Sequence, residues 1–180
     1  NNMTINKEIN KNAKSNLAKL LATENISVEH KKVKTAYFDL KNRLLVVPIW
    51  KEMNKDILDL LLSHEIGHAL FTNMNEWRVA VEEEKIPHSF LNVIEDARIE
   101  REIRNTYPGL IAAMQRGYKE LLKREFFGDI HNLEWHEIKL IDKINLKTKL
   151  GSMIDVPFNS EEQVFLDRAF TNQTWDQVVQ

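Results

Sequence analysis

The residues of this chain best suited to chemistry are the run His-Glu-Ile-Gly-His at positions 64–68. On a helix, residues four apart share one face at about 5–6 Å, so His64 and His68 can reach one metal ion together. Glu65 lies close to the same face, where its carboxylate can contact a water on that metal. Two imidazole ligands and a carboxylate base are typical of metal-assisted hydrolysis.

Zinc is the metal that fits this pattern best. Zinc lowers the pKa of its bound water to about 7, and a nearby carboxylate can take the water's proton and pass it to a leaving amine. Catalytic zinc sites use three protein ligands and keep a further position for water. The chain contains no cysteine, so the third ligand must be a histidine or a carboxylate.

The third ligand should come from an element other than the helix of the two histidines. The candidates are His88, Glu95, Asp96, Glu100, His131 and His136. In the predicted helix 90–105, apolar residues point in nearly all directions over the first part, which indicates burial. Buried charges need partners or metals. We therefore predict Glu95 as the ligand and Asp96 as the acceptor of a hydrogen bond from a ligand histidine.

Other interpretations of these residues stay open at this point. Glu95 and Asp96 could belong to a solvated face, since the following residues allow ion pairs at i,i+4 spacing. His88 could act as a donor to a tetrahedral intermediate or simply be exposed. Tyr107 and Tyr118 are candidates for an oxyanion donor, although packing with a satisfied hydroxyl is the commoner role of tyrosine.

A small sheet followed by helices is expected to position the site. Alternation at 33–38 and the apolar run 44–47 predict a β-hairpin, and Pro48 confines the second strand to an edge or an end of the sheet. Predicted helices are 4–22, 55–71, 77–85, 90–105, 110–127, 134–150 and 160–179, with Asn54 and Asn159 or Ser160 as caps. The fold class is α+β, mostly helical, and the 180 residues suit a single domain.

Composition excludes several classes of partner. The net charge is −2 and the pI about 6.3, without the basic excess of a nucleic-acid-binding protein. The longest apolar run is too short to cross a membrane, and the polar N-terminal residues contain no signal peptide. With no cysteine, the sequence fits the cytoplasm.

At His64, His68 and Glu95 the sequence resembles the zincin metallopeptidases, in particular the gluzincins, whose third ligand is a glutamate on a later helix. The resemblance implies a zincin-like fold, zinc on these three residues and Glu65 as the base. It also implies a peptide substrate that adds to an edge strand before the metal-binding helix, which is 44–47 or its hairpin partner.

One position departs from the gluzincin pattern. Gluzincins often have an acid four residues after the ligand glutamate, and here that position is Ile99. Either Asp96 orients the histidine instead, or Asp96 and Glu100 form the real pair.

Three further stretches, 91–100, 107–110 and 117–121, resemble metallopeptidase-like proteins of tailed phages that carry a von Willebrand factor A-type domain. The likeness extends over about residues 30–175, and residues 92–100 are also similar to part of the cobaltochelatase T subunit. The resemblance implies that the chain is the N-terminal part of a longer phage protein in the host cytoplasm, continuing into a C-terminal von Willebrand A-type domain.

Two rival functions accompany the peptidase hypothesis. In the first, the zinc site is structural, and the domain is a binding or assembly module that works with a von Willebrand A-type partner. In the second, the chain is a helical interaction domain without a metal. The coordination sphere distinguishes the enzyme from the structural zinc site, because an enzyme keeps a water in an open position. Elemental analysis that finds no zinc in the purified protein, with none taken up on addition, would favour the metal-free domain.

Overall fold

The structure, a computed structural model, describes residues 17, 19–39, 41–49 and 53–171. Over these residues the chain is mostly helical, with a small sheet before the main helices, which confirms the α+β class. Most of the predicted helix 4–22, and the end of the predicted helix 160–179, lie outside the described residues. None of the helices in the described part combines the length and the apolar run needed to span a bilayer.

The sheet has three strands, β1 (Ser27–Lys31), β2 (Tyr37–Asp39) and β3 (Leu44–Pro48), in the order β1-β3-β2. β2 and β3 are antiparallel, so a hairpin forms as predicted, but its first strand is Tyr37–Asp39 and not the predicted 33–38. β1 pairs with β3 in parallel and was not predicted. β3 is the central strand of the three, and its Leu45, Val46 and Val47 are fully buried, as expected for a strand with neighbours on both sides.

The central position of β3 corrects one expectation. Pro48 ends the strand, as predicted, but 44–47 cannot be a docking edge because β1 and β2 pair with both of its sides. Among the described strands, β1 and β2 form the edges of this sheet. Of the two strands that the sequence suggested as a substrate edge, only the hairpin partner, β2, lies at an edge.

Within the described residues, six α-helices follow the sheet: α1 (Lys55–Phe71), α2 (Met74–Glu82), α3 (His88–Thr106), α4 (Ile111–Lys123), α5 (Leu140–Leu150) and α6 (Ser160–Thr171). The predicted bounds of α1 are confirmed. The helix begins there because Asn54 Oδ1 accepts the amide N–H of Ile57 at 2.9 Å and caps it. Asn159 caps α6 in the same way, because its Oδ1 accepts the amide N–H of Glu162 at 2.8 Å. The amide N–H of Asn159 in turn donates to the carboxylate of Glu162 at 3.1 Å, which completes a capping box.

Contacts group the described residues into two compact units. The first contains the sheet, α1 as far as Leu70, and 103–120. Within it, α4 approaches α1 closely at Gly117, where an added Cβ would lie 2.4 Å from the Cβ of Leu60. Beside this contact, Arg116 Nε lies 3.4 Å from a carboxylate oxygen of Asp56.

The second unit contains 71–102 and the chain from 121 onward. Its core is formed by buried apolar residues of α2, α3, α5 and α6: Ala80, Leu91, Ile94, Ile144 and Leu166. Next to this core, the largely buried Lys143 reaches Glu162 at 2.9 Å and lies over the ring of Phe158. The ion pair fixes the start of α6 to α5.

Candidate metal centre

His64 and His68 lie on one face of α1, as their spacing predicts. Their ring centroids are 4.7 Å apart with an interplanar angle of 76°, and both side chains are half-buried. The helix buries apolar residues before and between them, including Leu60 and Ile66. Burial of those residues fixes the orientation of α1, so the two imidazoles are held together at partial exposure.

Asp96, on α3, completes a group that could hold a metal ion. One ligand atom from each of His64, His68 and Asp96 lies within 4.8 Å of the other two. Ligand atoms of one zinc ion lie roughly 3–3.5 Å apart, given zinc–ligand bonds of about 2.0–2.2 Å. Side-chain adjustments on the order of 1 Å would bring the three atoms to that spacing, and two imidazoles with one carboxylate suit zinc.

Glu95, predicted as the third ligand, has different partners. Its side chain is fully buried. Arg98 Nε donates to both carboxylate oxygens at 3.1 Å, and the Thr72 hydroxyl donates to Oε1 at 2.9 Å. Among the residues described, the metal-binding group contains Asp96 and not Glu95. The guanidinium already balances the charge of Glu95, since residues three apart share a helix face.

Asp96 also lies beside a cation from α5. Lys149 Nζ is 3.7 Å from Asp96 Oδ2, and both side chains are about one-fifth exposed (21% and 18%). Sequence reasoning missed Lys149, because a lysine in the last turn of a helix usually interacts with the helix dipole and solvent. Nothing in its neighbouring residues indicates that it lies beside Asp96.

Glu65 and His88 have different placements. Glu65 follows His64 in α1 and is half-buried, which is compatible with a base beside the ligand face. His88 begins α3, is exposed, and packs edge-on against Trp77 with ring centroids 5.5 Å apart. His88 is not part of the metal-binding group found among the described residues.

The other candidates have structural surroundings. The hydroxyl of Tyr107 donates to Glu24 at 2.6 Å, and this hydrogen bond is the main cause that raises the pKa of Tyr107 to about 12. Tyr118 is buried. His131 is exposed, and the exposed His136 lies near two glutamates. Glu100 is buried but does not belong to the group around His64.

Comparison with protein families, with curated proteins and with solved structures finds no match to this chain. The interpretation of the site therefore depends on its own donor atoms and their spacing.

Proposed function

We propose that this domain is a zinc-dependent peptidase in which His64, His68 and Asp96 bind the metal and Glu65 is the general base. One observation carries the proposal: the two histidines of a His-Glu-x-x-His helix have ligand atoms within 4.8 Å of a carboxylate oxygen from another helix. Two histidines and one carboxylate are also the ligands of known zinc peptidase sites.

The chain's own residues divide the work of peptide hydrolysis. Bound zinc would supply a Lewis acid and a water with a pKa near 7. Glu65 would take a proton from the water whose oxygen adds to the peptide carbonyl carbon, and would pass it to the amine nitrogen that leaves as the C–N bond breaks. Three protein ligands keep a position for the water, and the partial exposure of His64, His68 and Asp96 is compatible with access by a substrate.

An extended peptide is the substrate form that the sheet accommodates. β2 is an edge strand that pairs with β3 on one side, and a peptide backbone can add to such an edge by main-chain hydrogen bonds. Tyr37, in β2, is about half exposed (47%) and offers an aromatic surface to a side chain of the peptide. We therefore propose unfolded or extended segments of proteins as the substrate class.

Substitution of Glu65 tests the proposal. Glu65→Gln should keep zinc and lose at least about 100-fold in turnover of a fluorogenic peptide library, because the water loses its base. The matched control is Glu76→Gln, at an exposed glutamate of α2, which should retain full activity. His64→Ala should lose zinc, measured by metal analysis after gel filtration.

Full activity of Glu65→Gln would end the peptidase assignment. If the wild-type protein binds zinc stoichiometrically but cleaves no peptide, the site is instead a non-catalytic zinc module. Absence of zinc uptake by the wild-type protein would support a metal-free interaction domain.

A further inference from the structure

A buried hydrogen-bonded network joins the C-terminal end of α1 to α3. Arg98 Nη2 donates to the carbonyl of Phe71, the last residue of α1, at 2.5 Å. The same guanidinium pairs with Glu95, and both side chains are nearly inaccessible (5% and 0% exposed). The hydroxyl of Thr72, the first residue beyond α1, also donates to Glu95 Oε1.

Burial of this ion pair adds little to stability, so its contribution to the structure is better sought in geometry. Removing a carboxylate and a guanidinium from water carries a desolvation penalty that their attraction often only balances, so a buried pair is weak evidence for stability. Arg98 has a planar fork that fixes direction as well as charge. By donating to both Glu95 and the Phe71 carbonyl, it holds the last turn of α1 at one position along α3.

The network lies next to the ligand residues on both helices. Thr72 comes four residues after His68, one helical turn along the chain, and Glu95 immediately precedes Asp96. A shift of the last turn of α1 relative to Glu95 would therefore be passed to both ligands through short rigid segments. Partners that orient metal ligands usually change metal affinity by about 10–100-fold when they are lost.

We propose that Thr72, Glu95 and Arg98 are positioning residues that set the zinc affinity of the site by fixing the end of the histidine helix against the segment that carries Asp96. The inference rests on the proposed function for the identity of the ligands. It gives Glu95 a role that differs from the ligand role expected from the sequence, since Glu95 acts on the metal through its neighbours.

The test is zinc affinity, measured by competition with a chromophoric chelator on the full chain, with folding followed by circular dichroism. Thr72→Val removes the hydroxyl donor at nearly constant volume and should weaken zinc binding about tenfold. Thr72→Ser restores the donor and should return the affinity to within about twofold of wild type. Arg98→Lys keeps the charge but loses the fork, and should weaken binding at least as much as Thr72→Val.

Two controls separate positioning from general stability. Thr23→Val removes a hydroxyl that donates to the carbonyl of Lys19, four residues earlier, and Asn159→Ala removes the cap of α6. Both should keep wild-type zinc affinity, although Asn159→Ala lowers the unfolding midpoint. Equal affinity of Thr72→Val, Thr72→Ser and wild type would overturn the inference, as would affinity that falls with stability across all variants.

The outcomes for the proposed function are separate. A wild-type protein that binds no zinc contradicts both proposals. A protein that binds zinc without cleaving peptides contradicts the peptidase, while the affinities of the Thr72 variants still decide the positioning role. Loss of turnover in Glu65→Gln combined with unchanged affinity in Thr72→Val would contradict positioning alone.

Discussion

Glu95 and Asp96 are adjacent on α3, yet their carboxylates have different partners. Glu95 is bound by Arg98, whereas a carboxylate oxygen of Asp96 lies with the ligand atoms of His64 and His68. Consecutive residues of a helix point about 100° apart, so only one of two adjacent carboxylates can face a given site. Arg98, three residues after Glu95, shares the face of Glu95 and balances its charge.

The first prediction separates these two carboxylates. Asp96→Asn should weaken zinc binding by about 100-fold or more, because an anionic ligand becomes a neutral amide, and it should change the free energy of unfolding of the metal-free protein little. Glu95→Gln should destabilise the protein by about 3–5 kcal/mol, because it leaves the buried Arg98 without its counter-charge. Chelator competition and urea unfolding measure the two effects. If Glu95 were the ligand instead, Glu95→Gln would show the larger loss of zinc affinity and an unchanged free energy of unfolding.

Much of the fold follows from local sequence signals. α1 was predicted with its observed bounds because Asn54 is a strong cap and a polar stretch follows Phe71. β1 was missed because its residues are polar and mostly exposed, so only its pairing with β3 identifies it as a strand. That missed strand is also why β3 was expected at an edge, since Pro48 alone does not distinguish the end of a central strand from an edge.

The sequence predicts that the two histidines lie together, but not which acidic residue lies with them. His64 and His68 are fixed by helical spacing, which the sequence shows directly. The choice between Glu95 and Asp96 depends on the rotation of α3, and the apolar residues around that helix leave the rotation open. Arg98 is buried and bound to Glu95, in keeping with the burial that the apolar residues of this helix predict. Lys149 comes from a helix about fifty residues later, and no local pattern links it to Asp96.

The second prediction concerns the close contact of α4 with α1. Gly117→Ala would place a Cβ 2.4 Å from the Cβ of Leu60 and 2.7 Å from the carbonyl oxygen of Asp56, so the helices must separate. Overpacking of this kind costs about 1–3 kcal/mol, although alanine alone would favour the helix by about 1 kcal/mol. Urea unfolding should show a net loss of stability. Gln115→Ala, at an exposed position of α4, serves as the control and should be neutral; a Gly117→Ala variant more stable than wild type would contradict the contact.

The third prediction is a pH dependence of stability from Glu162. The amide N–H of Asn159, and then Lys143, hold the pKa of Glu162 below its ordinary value of 4.5. A carboxyl whose pKa is lower in the folded state stabilises the fold above the pKa of the unfolded state, and this contribution is lost as the pH falls through the folded pKa. The stability difference between wild type and Glu162→Gln should therefore shrink as the pH falls below 4.5. A stability difference for Glu162→Gln that stays constant as the solution is acidified would contradict the lowered pKa.

The fourth prediction concerns the cation beside Asp96, the proposed third ligand. Lys149 Nζ lies 3.7 Å from Asp96, so its charge would repel a metal ion bound to that carboxylate. With an effective dielectric constant near 20, the repulsion between the ammonium and a bound zinc ion amounts to a few kcal/mol before solvent screening. Screening reduces it in this partly exposed site, so we expect removal of the positive charge to strengthen zinc binding by about tenfold. Lys149→Met should therefore bind zinc more tightly at low salt, with a smaller gain at high salt. Lys147→Met, on the same helix, should have wild-type affinity. Weaker zinc binding in Lys149→Met would instead mean that the ammonium orients Asp96 for the metal, and that orientation outweighs repulsion.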